Sequence, residues 1–574
     1  MHNAKIAETF DRVADLLEFK GANPFRVRAY RKGARIIKDL SEPVESIVHD
    51  PSRELTEIEG IGKDLAAKCV TLVETGDLPM LDELLEDIPA TVLDLLRVPG
   101  LGPKKAAAVF RELNISSLDQ LKAACEANQV RGLKGFGAKT EEAILSGMEI
   151  ASAAAQRLLW SEADEIAERV RVHMQDCTAI RQIDLAGSYR RGRDTVGALD
   201  ILVVSDDAAA VMDHFDNFPE VQTVIGRGET KMSVRLDTGF QIDLRVVPEA
   251  SFGAALQYFT GSKDHNVILR GRAKQMGLKI NEYGVYRVDD ESYVAGVSEQ
   301  DVYKSLGLPC FPPELREARG EFQCAEAGKL PQLIELKDVR GDLHMHTHAT
   351  DGKQSIEEMA TAARQRGLSY IAITDHSKRV SMAHGLDAER LVAQWQEIDR
   401  INDAGEETFY IFKGIECDIL ENGDMDLPDE ILAQADWVLA SVHYGQRQSR
   451  DQITERILGA IENPYVSAIA HPTGRLLNRR EAYEVDLAAI MKAAKQRGKL
   501  MELNANPRRL DLNDVDCAAA QKLKIPIVIN TDAHSTSGLD VMRYGILQAR
   551  RAGLTKQDVA NTRTLKQFRK LIGV

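Results

Sequence analysis

From about residue 337 onward, short apolar runs alternate with stretches of helical periodicity, the pattern of a parallel sheet or barrel. Seven such runs stand out, and most end in an imidazole or carboxylate: VRGDLHMH, YIAITDH, YIFKGIE, WVLASVH, VSAIAH, LMELNAN and PIVINTDAH. Strand C-termini line one face of an α/β barrel, so the repetition predicts a distorted seven-stranded (β/α) barrel with a polar mouth. Residues 151 to about 318 mix helices with apolar strands such as LDILVV (Leu199 to Val204) and FQIDLRVV (Phe240 to Val247), an α+β pattern. The first 150 residues are helix-rich. Between these parts, residues 319–336 show weak periodicity and are expected to connect domains.

Composition agrees with several independent cores. A chain of 574 residues with 44% apolar and 28% charged residues is too long for one domain and too apolar for a disordered one. No apolar stretch reaches the roughly 18–20 residues of a membrane span, and the N-terminal residues carry no export signal, so a cytoplasmic protein with no membrane partner is expected. The seven cysteines are scattered without a CxxC pair and are expected to be reduced. A net charge of −15 argues against bulk attraction to nucleic acid, but Lys20 to Lys38 holds seven basic residues and no acidic one.

A short motif recurs three times near the N-terminus: IEGIGKDLAAK, VPGLGPKKAAA and LKGFGAKTEEA. Each places an apolar residue before G-x-G and a helical pattern after it. The glycine pairs Gly60/Gly62, Gly100/Gly102 and Gly135/Gly137 permit tight turns whose backbone N–H groups face outward at a helix start. This helix-hairpin-helix signal predicts contact with a DNA backbone without reading of sequence.

Two constellations carry chemistry. His344 and His346 alternate on a strand and so share a face, and Asp351 follows in a turn. His376, Glu416, His443, His471, Asp532 and His534 stand at or just after strand ends. Nine such donors can hold two or three divalent ions, and the lack of cysteine favours Mn²⁺, Zn²⁺ or Fe. Clusters of this kind hydrolyse phosphate esters. His348 and His384 are left out of the set. In the middle region, GSYRRGRDTVGALDILV (Gly187 to Val203) offers a Gly-Ser turn beside Arg190 and Arg191, followed by Asp200 and, on a later strand, Asp243. Such a turn beside carboxylates on adjacent strands suits two-metal phosphoryl transfer. QYFTGSKDHNVILRGRAK (Gln257 to Lys274) adds aromatic rings, a second Gly-Ser turn and a basic helix, fitting stacking and phosphate contact.

The motif HMHTHATDG (His344 to Gly352), followed in order by TDHS, GIE, SVHY, AHPT and TDAH, resembles the polymerase and histidinol phosphatase (PHP) family. That resemblance implies a phosphoesterase with the nine donors as metal ligands. Residues 1 to 318, including INEYG and LGLPCFPPELRE, are similar to the family X DNA polymerases of the DNA polymerase beta type. The whole chain therefore resembles the bacterial family X polymerases. The resemblance implies an 8-kDa-like helix-hairpin-helix domain at 1–83, a fingers-like one at 84–150, a nucleotidyltransferase palm at 151–250, a thumb-like domain at 251–318, a linker at 319–336 and the PHP domain at 337–574.

By the same resemblance Gly187, Ser188 and Arg191 would hold a deoxynucleoside triphosphate, Tyr258, Phe259 and Gly261 would meet its sugar, Asn266 its base, and Arg270 the template strand. Asp200 and Asp243 would bind Mg²⁺ or Mn²⁺. The family has D-x-D where this sequence has Ala198-Leu199-Asp200, so one bridging carboxylate is missing and impaired polymerisation is expected. Lys68, six residues after Gly62, matches the lysine of the family's deoxyribose-phosphate lyase element. These implications favour a repair enzyme acting on gapped, nicked or primer-template DNA, with a metal-dependent 3'-5' exonuclease and an abasic-site endonuclease in the barrel. Two other readings are a DNA-binding module that delivers ends to a nuclease, and a small-molecule phosphomonoesterase.

Overall fold

Three copies of one turn organise the N-terminal helices. In each copy the amide of the residue between the glycines donates to a carbonyl three residues earlier: Ile61 to Ile58 (2.9 Å), Leu101 to Val98 (3.0 Å) and Phe136 to Leu133 (3.0 Å). Gly62 and Gly102 then cap the helices Lys63–Thr75 and Pro103–Leu113. Gly60 (φ 97°) and Gly135 (φ 85°) take up the left-handed backbone that the turn needs. The helices Asn3–Phe19 and Pro24–Lys38 pack through Ile6, Phe10, Val13, Leu17 and Tyr30, all buried, with Phe10 edge-on to Tyr30 at 5.6 Å.

The computed structural model describes residues 3–405 and 408–574 apart from 39, 41–43, 59, 90, 93, 94, 96, 97, 99, 100, 143 and 146–156, so Gly100 lies outside the described residues. The chain divides into two compact units, residues 1–156 and 157–574.

The second unit begins with a two-stranded ribbon, β1 (Leu158–Leu159) against β3 (Thr195–Val196), beside a five-stranded sheet. That sheet holds β2 (Gln182–Leu185), β4 (Ala198–Val204), β5 (Val221–Arg227), β6 (Lys231–Leu236) and β7 (Gln241–Val247) in the order β2-β4-β7-β6-β5. β4 and β7 run parallel in a register that sets Asp200 opposite Asp243 and Ala198 opposite Gln241. Burial alternates along β7, with Ile242, Leu244 and Val246 buried and the residues between them half-open. The second carboxylate thus falls on the open face by period-two alternation. A three-stranded antiparallel meander follows: β8 (Leu278–Asn281), β9 (Gly284–Arg287) and β10 (Tyr293–Ala295). The segment after it packs into the same core. Phe322, in the helix Glu321–Glu326, lies against His265 and Phe311, and buried Glu321 bonds His265 Nδ1 at 2.8 Å.

The barrel strands follow one another in chain order: β11 (Gly341–Asp342), β12 (Tyr370–Ile373), β13 (Tyr410–Asp418), β14 (Trp437–Ser441), β15 (Ala468–Ile469), β16 (Leu500–Asn504) and β17 (Ile527–Asn530). Every pairing is parallel, and a further parallel bridge from Met345 to Ala533 joins the first strand region to the last. Both faces are covered, which is why these strands read as near-continuous apolar runs. Tyr370, Phe412, Trp437, Leu500 and Val528 fill the interior, while Ile371, Ile373, Val438, Met501 and Leu503 face the helical layer. Phe568, on the last helix Leu565–Ile572, closes one end of that interior. Its ring lies 5.2 Å from Tyr370 and 5.7 Å from both Phe412 and Trp437.

Because Phe568 is fully buried at the centre of this aromatic layer, Phe568→Ala should cost the second unit about 3–5 kcal/mol of stability. Chemical denaturation followed by tryptophan fluorescence checks this.

Candidate metal centre and nucleotide site

Inward positions of the barrel change from apolar to polar toward the strand C-termini. On β13, Phe412 is followed on the same face by Gly414, Glu416 and Asp418; on β16, Leu500 by Glu502 and Asn504; on β17, Val528 by Asn530. β11 departs from this rule. The strand ends at Asp342, and Leu343 packs with the interior layer whereas Met345 packs with the outer one. The alternation slips by one residue there, and the slip lets His344 and His346 both reach the mouth without regular strand geometry.

All nine donors named from the sequence meet at this mouth. Glu416 lies at the centre: its oxygens are 2.9 Å from His471 Nε2, 2.8 Å from His376 Nδ1, and 3.4 Å from the Nε2 atoms of His344 and His443. Asp532 Oδ1 lies 3.1 Å from His346 Nε2 and 3.5 Å from His344 Nε2. Asp351 reaches His376 Nε2 (3.6 Å) and His534 Nε2 (3.5 Å). The donors form three overlapping groups, His346/Asp351/His376/His534, His344/His346/Glu416 and His376/Glu416/His443, each with ligand atoms within 4.8 Å of one another. His348 and His384 are exposed and stay outside them.

Charge is the organising fact of this cluster. Burial alone would raise the Glu416 carboxyl, yet His443, His344 and His376 hold it well below the ordinary range. His376 is opposed by burial but raised by Glu416 and Asp351 to about 10, while burial together with His534 and His376 pushes His346 down to about 3. Hydrogen bonding is incomplete in the same place. His344 Nε2, His346 Nδ1 and His471 Nδ1 are buried without a hydrogen-bond partner, and His376 Nδ1 and Glu416 Oε2, though 2.8 Å apart, lack hydrogen-bond geometry. Leaving one such atom unpaired costs about 1–3 kcal/mol, so several together fit a donor set built for cations. Among the described residues the donors are nitrogen and oxygen only, which suits Mn²⁺, Zn²⁺ or Fe.

A second layer fixes the ligands, and the sequence reading missed it. Glu502 accepts from His344 Nδ1 (2.7 Å), from the His471 amide (2.7 Å) and from Asn530 (2.9 Å). Asp418 receives the His443 amide at 2.9 Å and lies 3.0 Å from Arg379 Nε. Asn504 donates to Asp532 Oδ2 at 3.1 Å. Glu502 was findable: it sits inside the run LMELNAN at the inward parity. His471 (φ 28°) and Asp532 (φ 55°) also hold left-handed backbone that side chains rarely adopt. Beside His443 opens a groove of about 860 Å³, lined among others by Tyr444, Arg447, Ser449, Arg480 and Glu484.

The nucleotide constellation assembles on the open face of the five-stranded sheet. Gly187 (φ 66°) abuts Asp200 so closely that a Cβ there would lie 2.1 Å from Asp200 Oδ2. Burial, and then neighbouring Asp243, raise the Asp200 carboxyl to about 6. Asp243 is bonded by Ser233 and by Gln241 (3.2 Å), and Lys231 Nζ stands at 3.9 Å. Ser188 is half-buried on the same turn. Arg191 donates to the Thr260 carbonyl next to Gly261 and to Glu317 at 3.0 Å. Tyr258 lies edge-on to Phe259 at 5.1 Å, Asn266 donates to the Tyr258 carbonyl at 2.8 Å, and Arg270 is exposed.

In the N-terminal unit, Gly62, Gly102, Gly135 and Gly137 face open space, as backbone contact with a ligand requires. Lys68 pairs with Asp64 and lies 5.8 Å from the Tyr30 ring centre. Burial lowers its amine, but Asp64 and Tyr30 together raise it above the ordinary value.

Family models match along the chain: a helix-hairpin-helix domain at residues 1–78, a SAM-like helix-hairpin-helix tandem at 92–149, the DNA polymerase beta palm at 157–232, the DNA polymerase beta thumb at 255–317 and the PHP domain at 342–506. Over 568 aligned residues the chain is 39% identical to the DNA polymerase/3'-5' exonuclease PolX of Bacillus subtilis (strain 168), covering 99% of this chain and 98% of that protein. The chain belongs to the bacterial family X DNA polymerases with a PHP domain. Other relatives cover only part of the chain. DNA polymerase lambda of Rattus norvegicus is 27% identical over 55% of this chain and 56% of its own length. A probable phosphatase of Thermoanaerobacter sp. (strain X514) is 30% identical over 38% of this chain and 89% of its own length. Within this family, the sheet carrying Asp200 and Asp243 is the palm, and the barrel is the PHP domain.

Two substitutions separate ligand from support. Glu416→Ala should lower the divalent-metal content of the purified protein, read by elemental analysis. Glu502→Ala should keep the donors but weaken Mn²⁺ roughly 10–100-fold by calorimetry.

Proposed function

We propose that this chain is a DNA repair enzyme that removes nucleotides from 3' ends in its barrel and carries a gap-filling polymerase site weakened at Ala198. The observation that carries the reading is the meeting of nine nitrogen and oxygen donors at one mouth, buried Glu416 among them, on a chain similar over its whole length to a polymerase/exonuclease. Divalent cations held by these donors would lower the pKa of a water and neutralise phosphoryl oxygens. Hydrolysis would join a water oxygen to the terminal phosphorus and break its bond to the 3' oxygen, releasing a nucleoside monophosphate and a new 3' hydroxyl. Glu502, Asp418 and Asn504 hold the ligand side chains in place through these steps. The groove beside His443, with Arg447 and Arg480, suits the strand leading to the cut, and abasic-site cleavage is the same reaction at an internal phosphodiester.

In the palm, Asp200 and Asp243 remain to hold Mg²⁺ or Mn²⁺, while Ala198 leaves the position opposite Gln241 without a carboxylate. Loss of a bridging charge at the transition state would cost several kcal/mol, or orders of magnitude in rate. Ala198 equally favours a second reading, in which residues 1–318 only bind DNA and deliver ends to the nuclease. A small-molecule phosphatase is not favoured, because the probable phosphatase of Thermoanaerobacter sp. covers only 38% of this chain, whereas the polymerase/exonuclease covers 99%. No helix among the described residues is long and apolar enough to cross a membrane, in keeping with action on cytoplasmic DNA.

With Mn²⁺ and a labelled primer-template, the primer should shorten, and Glu416→Gln should slow shortening at least about a hundredfold. No shortening by the parent would overturn the nuclease. With nucleotides and Glu416→Gln as background, Ala198→Asp should raise primer extension by roughly two orders of magnitude or more. Extension already at full rate, with no gain from Asp, would contradict the impairment. For Lys68 the expected outcome is borohydride trapping on a 5'-deoxyribose-phosphate end that disappears in Lys68→Ala.

A further inference from the structure

The helix Met542–Arg551 follows the metal-donor loop of Asp532 and His534, and it is seated tightly on the barrel. A Cβ at Gly545 would lie 2.6 Å from Ile529 and 2.7 Å from Ala505. Its other side packs against the Gly187–Arg191 turn of the palm. Leu547 fills the space at Gly192, where a Cβ would meet it at 2.5 Å. Tyr544 lies edge-on to Trp160 (5.7 Å), and Trp160 stacks on Tyr189 at 4.9 Å. Arg543 pairs at 2.8 Å with Asp164, which also accepts the Tyr189 hydroxyl.

Arg551 completes the contact. Its side chain is almost wholly buried and donates to the Arg191 carbonyl (2.7 Å), to Glu317 Oε1 (2.9 Å) and to Asp514 Oδ2 (2.8 Å). Asp514 is held in turn by Arg319 at 2.8 Å. The same Glu317 oxygen accepts from Arg191 Nε. One carboxylate oxygen is therefore divided between an arginine of the palm and an arginine of the barrel.

We infer that Arg551 is a positioning residue of the nucleotide site, supplied by the barrel domain: it fixes the Arg191 backbone and shares Glu317, leaving part of the Arg191 charge for a triphosphate. The inference rests on Arg191 facing a triphosphate. Without Arg551, Glu317 belongs to Arg191 alone, the guanidinium is drawn toward it, and the Arg191 carbonyl loses its donor. Because the next metal-donor loop upstream carries Asp532 and His534, the nucleotide turn and the nuclease mouth lean on one helix.

The test is equilibrium binding of labelled dATP to the full chain on dideoxy-ended gapped DNA, with Ca²⁺ replacing Mn²⁺ to hold off chemistry. Arg551→Ala should weaken dATP roughly tenfold or more, with partial recovery in Arg551→Lys and Mn²⁺-dependent shortening kept as the check on folding. A structural role alone would not show coupling through Glu317, whereas this one does: in a Glu317→Gln background, where only the bond to the Arg191 carbonyl remains to be lost, Arg551→Ala should weaken dATP severalfold less than it does in the parent. Parental binding that is unchanged in Arg551→Ala, or an equal loss in both backgrounds, would overturn the inference alone. A parent that binds no dATP would remove the nucleotide-site reading, and this inference with it.

Discussion

Glu416 is a carboxylate taken out of water and surrounded by imidazoles, and the barrel mouth can exist only because that charge is answered. Burial of an unpaired carboxylate is among the most costly things a fold can do. Here His344, His376, His443 and His471 each stand within 3.4 Å of it. They come from separate strand ends, so the ligand sphere is a consequence of strand order and parity. The apolar layer of Tyr370, Phe412, Trp437 and Phe568 beneath it keeps the strands in that relation. Glu502 and Asp418 then fix individual rings by accepting from ring or backbone nitrogens. Core packing, second layer and ligand set form one hierarchy, in which each level restricts the freedom of the level above.

Much of this was legible in the chain because barrel strands advertise their ends. A donor that follows an apolar run is placed by topology alone, and His376, Glu416, His443 and His471 are such cases. Others were legible only through strand parity, or not at all, for distinct physical reasons. Glu502 and Asp418 look like any acid near a strand, and only parity along the strand separates them from surface residues. The slip after Asp342 leaves no mark in composition, since both faces around it are buried. Arg551, Glu317 and Asp514 are ordinary surface-type residues in sequence; their pairing depends on how two domains pack, which local periodicity does not encode. The connection at 319–336 reads as a weak linker, yet Phe322 and Glu321 are core residues of the neighbouring domain.

The palm carries an opposite lesson. Its architecture is retained: Gly187 still leaves room for Asp200, Asp243 is still bonded by Ser233 and Gln241, and Arg190 is tied to Glu299 at 2.7 Å. On the reading proposed above, what differs is a single charge at Ala198. Scaffold and chemistry are thus separable here, because the sheet is held by apolar residues on its closed face while the reactive groups occupy the open one.

The left-handed backbone at Asp532 has a bearing on how such a barrel can drift. Asparagine and glycine tolerate that conformation, whereas alanine, valine or tyrosine would pay for it in strain. Of the single-nucleotide changes open to an aspartate codon, those leading to asparagine and glycine spare the loop's shape while removing the negative charge. A barrel that lost this acid would therefore keep its form most readily with Asn or Gly in the acid's place.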